Sequence, residues 1–188
     1  MLVVIDGLDG SGKSTQATLL ADIIQKRGRA LIVRTHPSDD SFFGVRARAY
    51  LFLSGRRAHI AASIFYLADV VRSIVIYSWR RVDYIVFVRY LMGTAYLPSP
   101  LHKLGYLLLS RLVPQGKPMI FLNVNPEEAY RRVAAGRRRM ERFESIDELR
   151  KTSRKAADLL AYGDWKIVDG SKPVDEIHRD VLRLVELL

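Results

Sequence analysis

Residues Gly7-Leu8-Asp9-Gly10-Ser11-Gly12-Lys13-Ser14-Thr15 constrain this chain more than any other stretch. They follow a run of apolar, mostly β-branched residues, Leu2 to Ile5, that reads as a strand buried on both faces. They precede a segment from about Lys13 to Arg27 in which Ala17, Leu20 and Ile24 share one helix face, with Gly28 as the stop. A strand, a Gly-rich turn with this spacing and a helix, in that order, make a phosphate-binding loop. Gly7, Gly10 and Gly12 let successive N–H groups, those of Ser11 and Thr15 among them, turn inward around a phosphate. The helix N-terminus adds a partial positive charge. Lys13 is placed to reach β- and γ-phosphates, and Ser14 offers a hydroxyl to Mg²⁺, so ATP and Mg²⁺ are the expected cofactors. Asp9 is the odd residue. A carboxylate beside phosphates is repelled unless a cation, a proton or a sugar hydroxyl satisfies it, so Asp9 is expected to face Mg²⁺ or an acceptor.

The rest of the chain keeps alternating. Apolar strand patterns recur at Ala30–Val33, Tyr84–Val88, Met119–Val124 and Lys166–Val168. Helical patterns lie between them, at about 57–80, 101–113, 126–135 and 146–162, and a last one opens at Pro173. Ser41 is a candidate N-cap, and Pro98 and Pro100 punctuate a loop. The expected fold is therefore α/β: a P-loop-type five-stranded parallel sheet with helices on both faces, forming one domain over residues 1–188. The longest apolar tract, Ile60 to Trp79, is broken by Asp69 and Arg72 and reads as a buried helix rather than a membrane span. MLVVIDG has no basic leader region, and a soluble, cytoplasmic protein is expected.

Charge narrows the partners. The net charge of +10 is concentrated in residues 41–118, which hold eleven basic and two acidic residues. Such a surface attracts phosphates. The absence of cysteine excludes disulfides, thiolate metal sites and thiol nucleophiles, and the four histidines show no metal-ligand spacing. A second basic stretch, Gly136-Arg137-Arg138-Arg139 with Arg142, interrupts two helical patterns and reads as a short lid over about 136–145.

In order along the chain, IDGLDGSGKST, Arg34-Thr35-His36-Pro37, Phe65-Tyr66-Leu67-Ala68-Asp69-Val70, Val88-Arg89-Tyr90 with Thr94-Ala95-Tyr96, and Leu122-Asn123-Val124-Asn125-Pro126-Glu127-Glu128-Ala129 resemble the motifs of the thymidylate kinase family. The stretch Asp164 to Ser171 resembles that family's closing strand and loop. The resemblance implies a nucleoside monophosphate kinase that passes the γ-phosphoryl group of ATP to a deoxynucleoside monophosphate, dTMP to dTDP above all. It implies that Asp9 sits near the acceptor phosphate and sugar hydroxyl, that Arg89 holds the acceptor phosphate, and that Tyr66 stacks on the base. Tyr96 and Pro37 would line the acceptor pocket. Since the phosphate loop has no arginine, Arg137 and Arg142 of the lid would supply the catalytic cation.

Three departures from the family pattern stand out. Val88 replaces the aspartate of Asp-Arg-Tyr, Val70 replaces an arginine that reads the thymine edge, and Thr35-His36 replace Arg-Glu before Pro37. Arg34 and Arg72 are close enough in sequence to compensate. Three other readings remain open: a P-loop kinase with a different small acceptor, a degraded ATP-binding relative, and a nucleic-acid-associated ATPase. Small nucleotides are the expected partners, and the apolar Ile60–Tyr77 stretch is also a candidate homodimer face.

Overall fold

The computed structural model describes residues 1–53, 56–136 and 145–188. The expected lid arginines, Arg137 and Arg142, lie outside the described residues. In chain order the elements are β1 (Leu2–Gly7), α1 (Lys13–Lys26), β2 (Leu31–Thr35), α2 (Phe42–Leu51), α3 (Arg56–Tyr77), β3 (Tyr84–Val88) and a 3-10 helix (Leu91–Tyr96). There follow α4 (Leu101–Leu112), β4 (Met119–Asn123), α5 (Pro126–Gly136), α6 (Ile146–Leu160), β5 (Trp165–Asp169) and α7 (Val174–Leu184).

The strands form one five-stranded sheet in the order β2-β3-β1-β4-β5, parallel at every pairing. Val4 is in register with Phe87 on one side and Met119 on the other. Because side chains alternate along a strand, the two faces of the sheet bury different sets. Val3, Ile5, Val86, Val88, Ile120 and Leu122 pack with Ala17, Leu20 and Ile24 of α1 and with Ile177 and Val181 of α7. Val4, Ile85, Phe87, Met119 and Phe121 pack on the opposite face with α3, α4, α6 and the 3-10 helix. The chain thus leaves β1 toward one face and β3 toward the other. That divergence opens a crevice at the carboxyl ends of two adjacent strands, where open α/β sheets bind ligands.

The expected strands and helices are present, with three differences. The ten-residue α2 was signalled only by its cap, Ser41, whose Oγ accepts from Gly44 N at 2.8 Å. The 3-10 helix had no sequence signal, since it is too short for a periodic pattern. The expectation of a buried helix over Ile60 to Trp79 is met on one side only. Within it, Ile60–Tyr77 is apolar and long enough to cross a membrane by length and composition, and about a third of it is buried. Val70 and Ile74 lie in the core, whereas Ile64, Val71 and Val75 are exposed. Asp69, within the same stretch, is fully buried and accepts hydrogen bonds from Ser38 N at 2.6 Å, Ser38 Oγ at 2.7 Å and Ser41 Oγ.

Candidate active site

Two cavities open at the carboxyl edge of the sheet, and Arg89 lines both. The larger, about 760 Å³, is floored by the phosphate loop: Gly10, Ser11, Gly12, Lys13, Ser14 and Thr15. The loop's tight path requires glycine. Gly10 has φ +82°, and a Cβ on it would lie 2.3 Å from the Ala129 carbonyl oxygen. Lys13 is buried, and its ammonium donates to the carbonyls of Gly7, at 2.9 Å, and Leu8. Burial, and then the charge of Arg89, lowers its pKa to about 8 despite the nearby carboxylates of Asp9 and Asp6. Arg132 from α5 and Lys172 from the loop before α7 line the opposite wall of this cavity. Neither carries a local signal in its surrounding residues. They come close only because α5 follows β4, which flanks β1, and α7 follows β5, the next strand out, and packs back against α1. Arg132 is held there by Glu128 Oε1 and the Gly170 carbonyl, both at 2.9 Å.

The second cavity, about 370 Å³, lies between the loop after β1, the 3-10 helix and the two helices α2 and α3. Asp9, Pro37, Tyr66, Arg89 and Tyr96, named separately from the sequence, all line it. Arg89 Nη2 and Nε donate to Asp9 Oδ1 at 2.6 and 3.1 Å, and Tyr96 OH donates to Asp9 Oδ2 at 2.8 Å. Burial opposes ionisation of Asp9, but the charges of Arg89 and Lys13 outweigh it and hold the carboxyl well below the usual range. Arg89 in turn is more firmly protonated than a free guanidinium: burial works against its charge, and Asp9 more than offsets that.

The Arg89 backbone is unusual. It adopts φ +59°, a left-handed conformation that a non-glycine residue occupies at some cost. Its N–H donates to the Ile5 carbonyl at 3.2 Å, and its carbonyl lies 3.1 Å from Nδ1 of His36. A carbonyl only accepts, so Nδ1 of His36 carries the proton. Burial lowers the His36 pKa to about 4, leaving the ring neutral at physiological pH. Asp6, at the end of β1, ties in the following segment. It is buried and accepts from Tyr90 N at 2.8 Å and Met92 N at 3.1 Å, which anchors the 3-10 helix carrying Tyr96. Burial raises the Asp6 pKa against the pull of those N–H groups. Sequence reasoning missed Asp6, His36 and Gly93 as site residues. Gly93 is needed because Tyr66 packs onto it: a Cβ there would lie 2.1 Å from Cε1 of that ring.

The expected compensation by Arg34 and Arg72 is not seen. Arg34 makes a two-pronged ion pair with Asp40, at 2.6 and 2.8 Å, and stacks over Tyr77. Neither Arg34 nor Arg72 lines the second cavity. β2 sends alternate side chains to opposite faces, and Arg72 lies six residues beyond Tyr66 on α3, so proximity in sequence did not become proximity to the pocket.

Among the described residues, no group of three or more His, Cys, Asp or Glu side chains is placed to hold a metal. Val88 is fully buried and offers no oxygen, and the Asp6 carboxylate is taken up by backbone N–H groups. Ser14 is exposed at the mouth of the phosphate-loop cavity. That arrangement suits Mg²⁺ carried largely by nucleotide phosphates, with one protein hydroxyl as ligand.

A phosphate loop facing an enclosed second pocket, with one arginine between them, defines a P-loop phosphotransferase that acts on a small acceptor. The thymidylate kinase family profile matches residues 5–181, and the chain belongs to that family: it is a nucleoside monophosphate kinase that phosphorylates dTMP with ATP. The probable thymidylate kinase of Thermococcus onnurineus (strain NA1) is 30% identical, over 99% of this chain and 97% of that protein. The thymidylate kinase of Danio rerio is 26% identical, over 98% of this chain and 89% of its own length. The solved structure of thymidylate kinase from Candida albicans superposes with a TM-score of 0.77 at 21% identity, covering 98% of this chain and 90% of that one.

Proposed function

We propose that ATP occupies the phosphate-loop cavity and dTMP the second cavity, and that transfer takes place beside Arg89. The observation that carries this reading is that Arg89, alone among the described residues, lines both cavities while bound to Asp9. An oxygen of the acceptor phosphate attacks the γ-phosphorus. The new P–O bond forms as the bond to the β–γ bridging oxygen breaks, and ADP leaves. Lys13 places its positive charge on the β- and γ-phosphates, and Arg89 places its own between the acceptor phosphate and the transferring group. Asp9 holds Arg89 in orientation, and Tyr96, hydrogen-bonded to Asp9, borders the sugar. Tyr66 borders the base. Ser14 is the protein oxygen that would hold a nucleotide-bound Mg²⁺, which would supply positive charge against the phosphates. Arg137 and Arg142, outside the described residues, keep the expected role of supplying a catalytic cation.

Residues 1–188 act in this reading as one kinase domain, working in the cytoplasm where ATP and dTMP meet. Ile64, Val71 and Val75, exposed on α3, are where a second copy would pack in a homodimer. The assignment of two cavities is tested by calorimetry with ATP and dTMP, each titrated alone and into protein saturated with the other. Simultaneous binding is expected, and mutual exclusion would overturn the assignment.

A further inference from the structure

The second cavity has a polar end and a far end. Asp9, Arg89 and Tyr96 close the first. Ala47, Arg48 and Leu51 of α2 and Ala62, Ser63 and Tyr66 of α3 form the other, where the base of a bound monophosphate lies if the reading above holds. Residues 62, 63 and 66 fall on one side of α3, at the spacing of a single helix face. The next position on that face, Val70, is fully buried in the core against the sheet and does not reach the cavity.

Among the described residues, every polar side chain that lines this cavity has a partner except one. Asp9, Arg89 and Tyr96 bind one another. Tyr66 OH donates to the Tyr90 carbonyl at 3.3 Å. Arg48 is engaged by the Asp39 carboxylate and, at 2.9 Å, by the Pro37 carbonyl. Ser63 Oγ is buried and has no hydrogen-bond partner. A buried hydroxyl without a partner is uncommon in a folded protein, because leaving it unpaired is costly. In a ligand pocket, the ligand is the natural partner.

We infer that Ser63 is the side chain that hydrogen-bonds the edge of the acceptor base, and that through it the enzyme takes dCMP as well as dTMP. The inference rests on the acceptor assignment made above. The chemistry follows from the hydroxyl. Thymine presents a carbonyl oxygen at position 4, and cytosine presents an amine. A guanidinium can only donate and would favour the carbonyl. A serine hydroxyl rotates, donating to the carbonyl or accepting from the amine, so it satisfies either edge. Two donors of Arg48, one on each terminal nitrogen, are held by Asp39 and Pro37, which turns its guanidinium toward the segment that follows β2.

The test is steady-state kinetics with dTMP and dCMP, each with ATP, for the wild type, Ser63→Ala and Ser63→Thr. Wild-type kcat/KM values for the two acceptors are expected within about tenfold of each other. Ser63→Ala should raise KM for both acceptors about tenfold, the loss of one hydrogen bond to a buried partner, and leave KM for ATP within about twofold. Ser63→Thr, which keeps the hydroxyl, should stay close to the wild type. Unchanged acceptor KM values in Ser63→Ala, with dTMP still turned over, would overturn the role of Ser63 and leave the acceptor assignment standing. Wild-type rejection of dCMP by about a thousandfold would overturn the dual recognition. Simultaneous loss of ATP and acceptor binding in Ser63→Ala would overturn the two-cavity assignment itself.

Discussion

The two cavities that meet at Arg89 are built in opposite ways. Half of the residues that line the phosphate-loop cavity come from one unbroken run, Gly10 to Gln16, which presents backbone N–H groups and a helix N-terminus. The acceptor cavity is assembled from the loop after β1, the loop after β2, α2, α3, the end of β3 and the 3-10 helix, and presents side chains. A phosphate looks much the same in every nucleotide, so a local backbone shape suffices to bind it. A particular base does not, and the residues around it must come from several directions. The charges differ as well. Lys13 carries a proton that burial makes easier to lose, whereas Arg89 and Asp9 are locked together as ions.

The largest effect that separates the two cavities is expected from Lys13→Ala. Removing the cation that reaches the β- and γ-phosphates should lower kcat by about a hundredfold or more, with dTMP binding nearly unchanged by calorimetry. Normal turnover in that variant would mean that the loop does not bind the transferred phosphate. Arg89→Ala comes next. Losing a charge-assisted contact is worth about 1.5–3 kcal/mol, so KM for dTMP should rise about ten- to a hundredfold while KM for ATP rises much less. Equal losses for both ligands would move Arg89 out of the acceptor site. This variant also removes the nearest countercharge of the buried Asp9 carboxylate, leaving it Tyr96 and the more distant Lys13, so its melting temperature should fall.

Gly93→Ala is milder. The added methyl must displace the Tyr66 ring, and dTMP affinity should drop about tenfold with ATP affinity preserved. A dTMP affinity equal to the wild type's would show that the ring can shift without consequence for the acceptor. A smaller, graded effect comes from pH. Lys13 titrates at about 8, below the ordinary lysine range, and its charged form is the one that binds phosphate. Anion binding therefore favours proton uptake. ATP affinity should be constant below pH 7 and fall severalfold between pH 8 and 9, while dTMP affinity stays flat. Calorimetry in two buffers of different ionisation enthalpy measures the proton uptake directly, and none at pH 8.5 would contradict the assignment. The smallest effect belongs to Arg34→Ala. Arg34 faces Asp40 and Tyr77 rather than the acceptor, so the ratio of dTMP to dCMP turnover should change less than about twofold.

How far each region was legible in the sequence follows the same division. The strand, the glycines, Lys13 and Ser14 could be read from spacing, because the phosphate loop is a local structure whose contacts lie within a few residues. Asp9, Arg89, Tyr66, Tyr96 and Pro37 could be named from resemblance to a family, but not placed. Nothing in the spacing of residues 9, 89 and 96 brings them together. The sheet order does, by setting β1 beside β3 so that their carboxyl ends converge. Arg132 and Lys172 went unrecognised for the converse reason: each looks like an ordinary surface cation until α5 and α7 are packed around β1.

The sequence by itself determined the alternation of strands and helices and the identity of the phosphate loop, since these rest on short apolar runs, a helical period near four and short-range turn chemistry. Only the tertiary structure decided which residues border the acceptor. It turned Arg34 away to Asp40 and buried Val70 in the core. It held Arg89 in a left-handed conformation between the Ile5 carbonyl, which accepts its N–H, and His36, and it left the buried Ser63 hydroxyl without a partner in the wall of the cavity. The physical reason is that a helix or strand fixes which side of itself a residue faces, while the neighbour met on that side is set by packing among segments far apart in the chain.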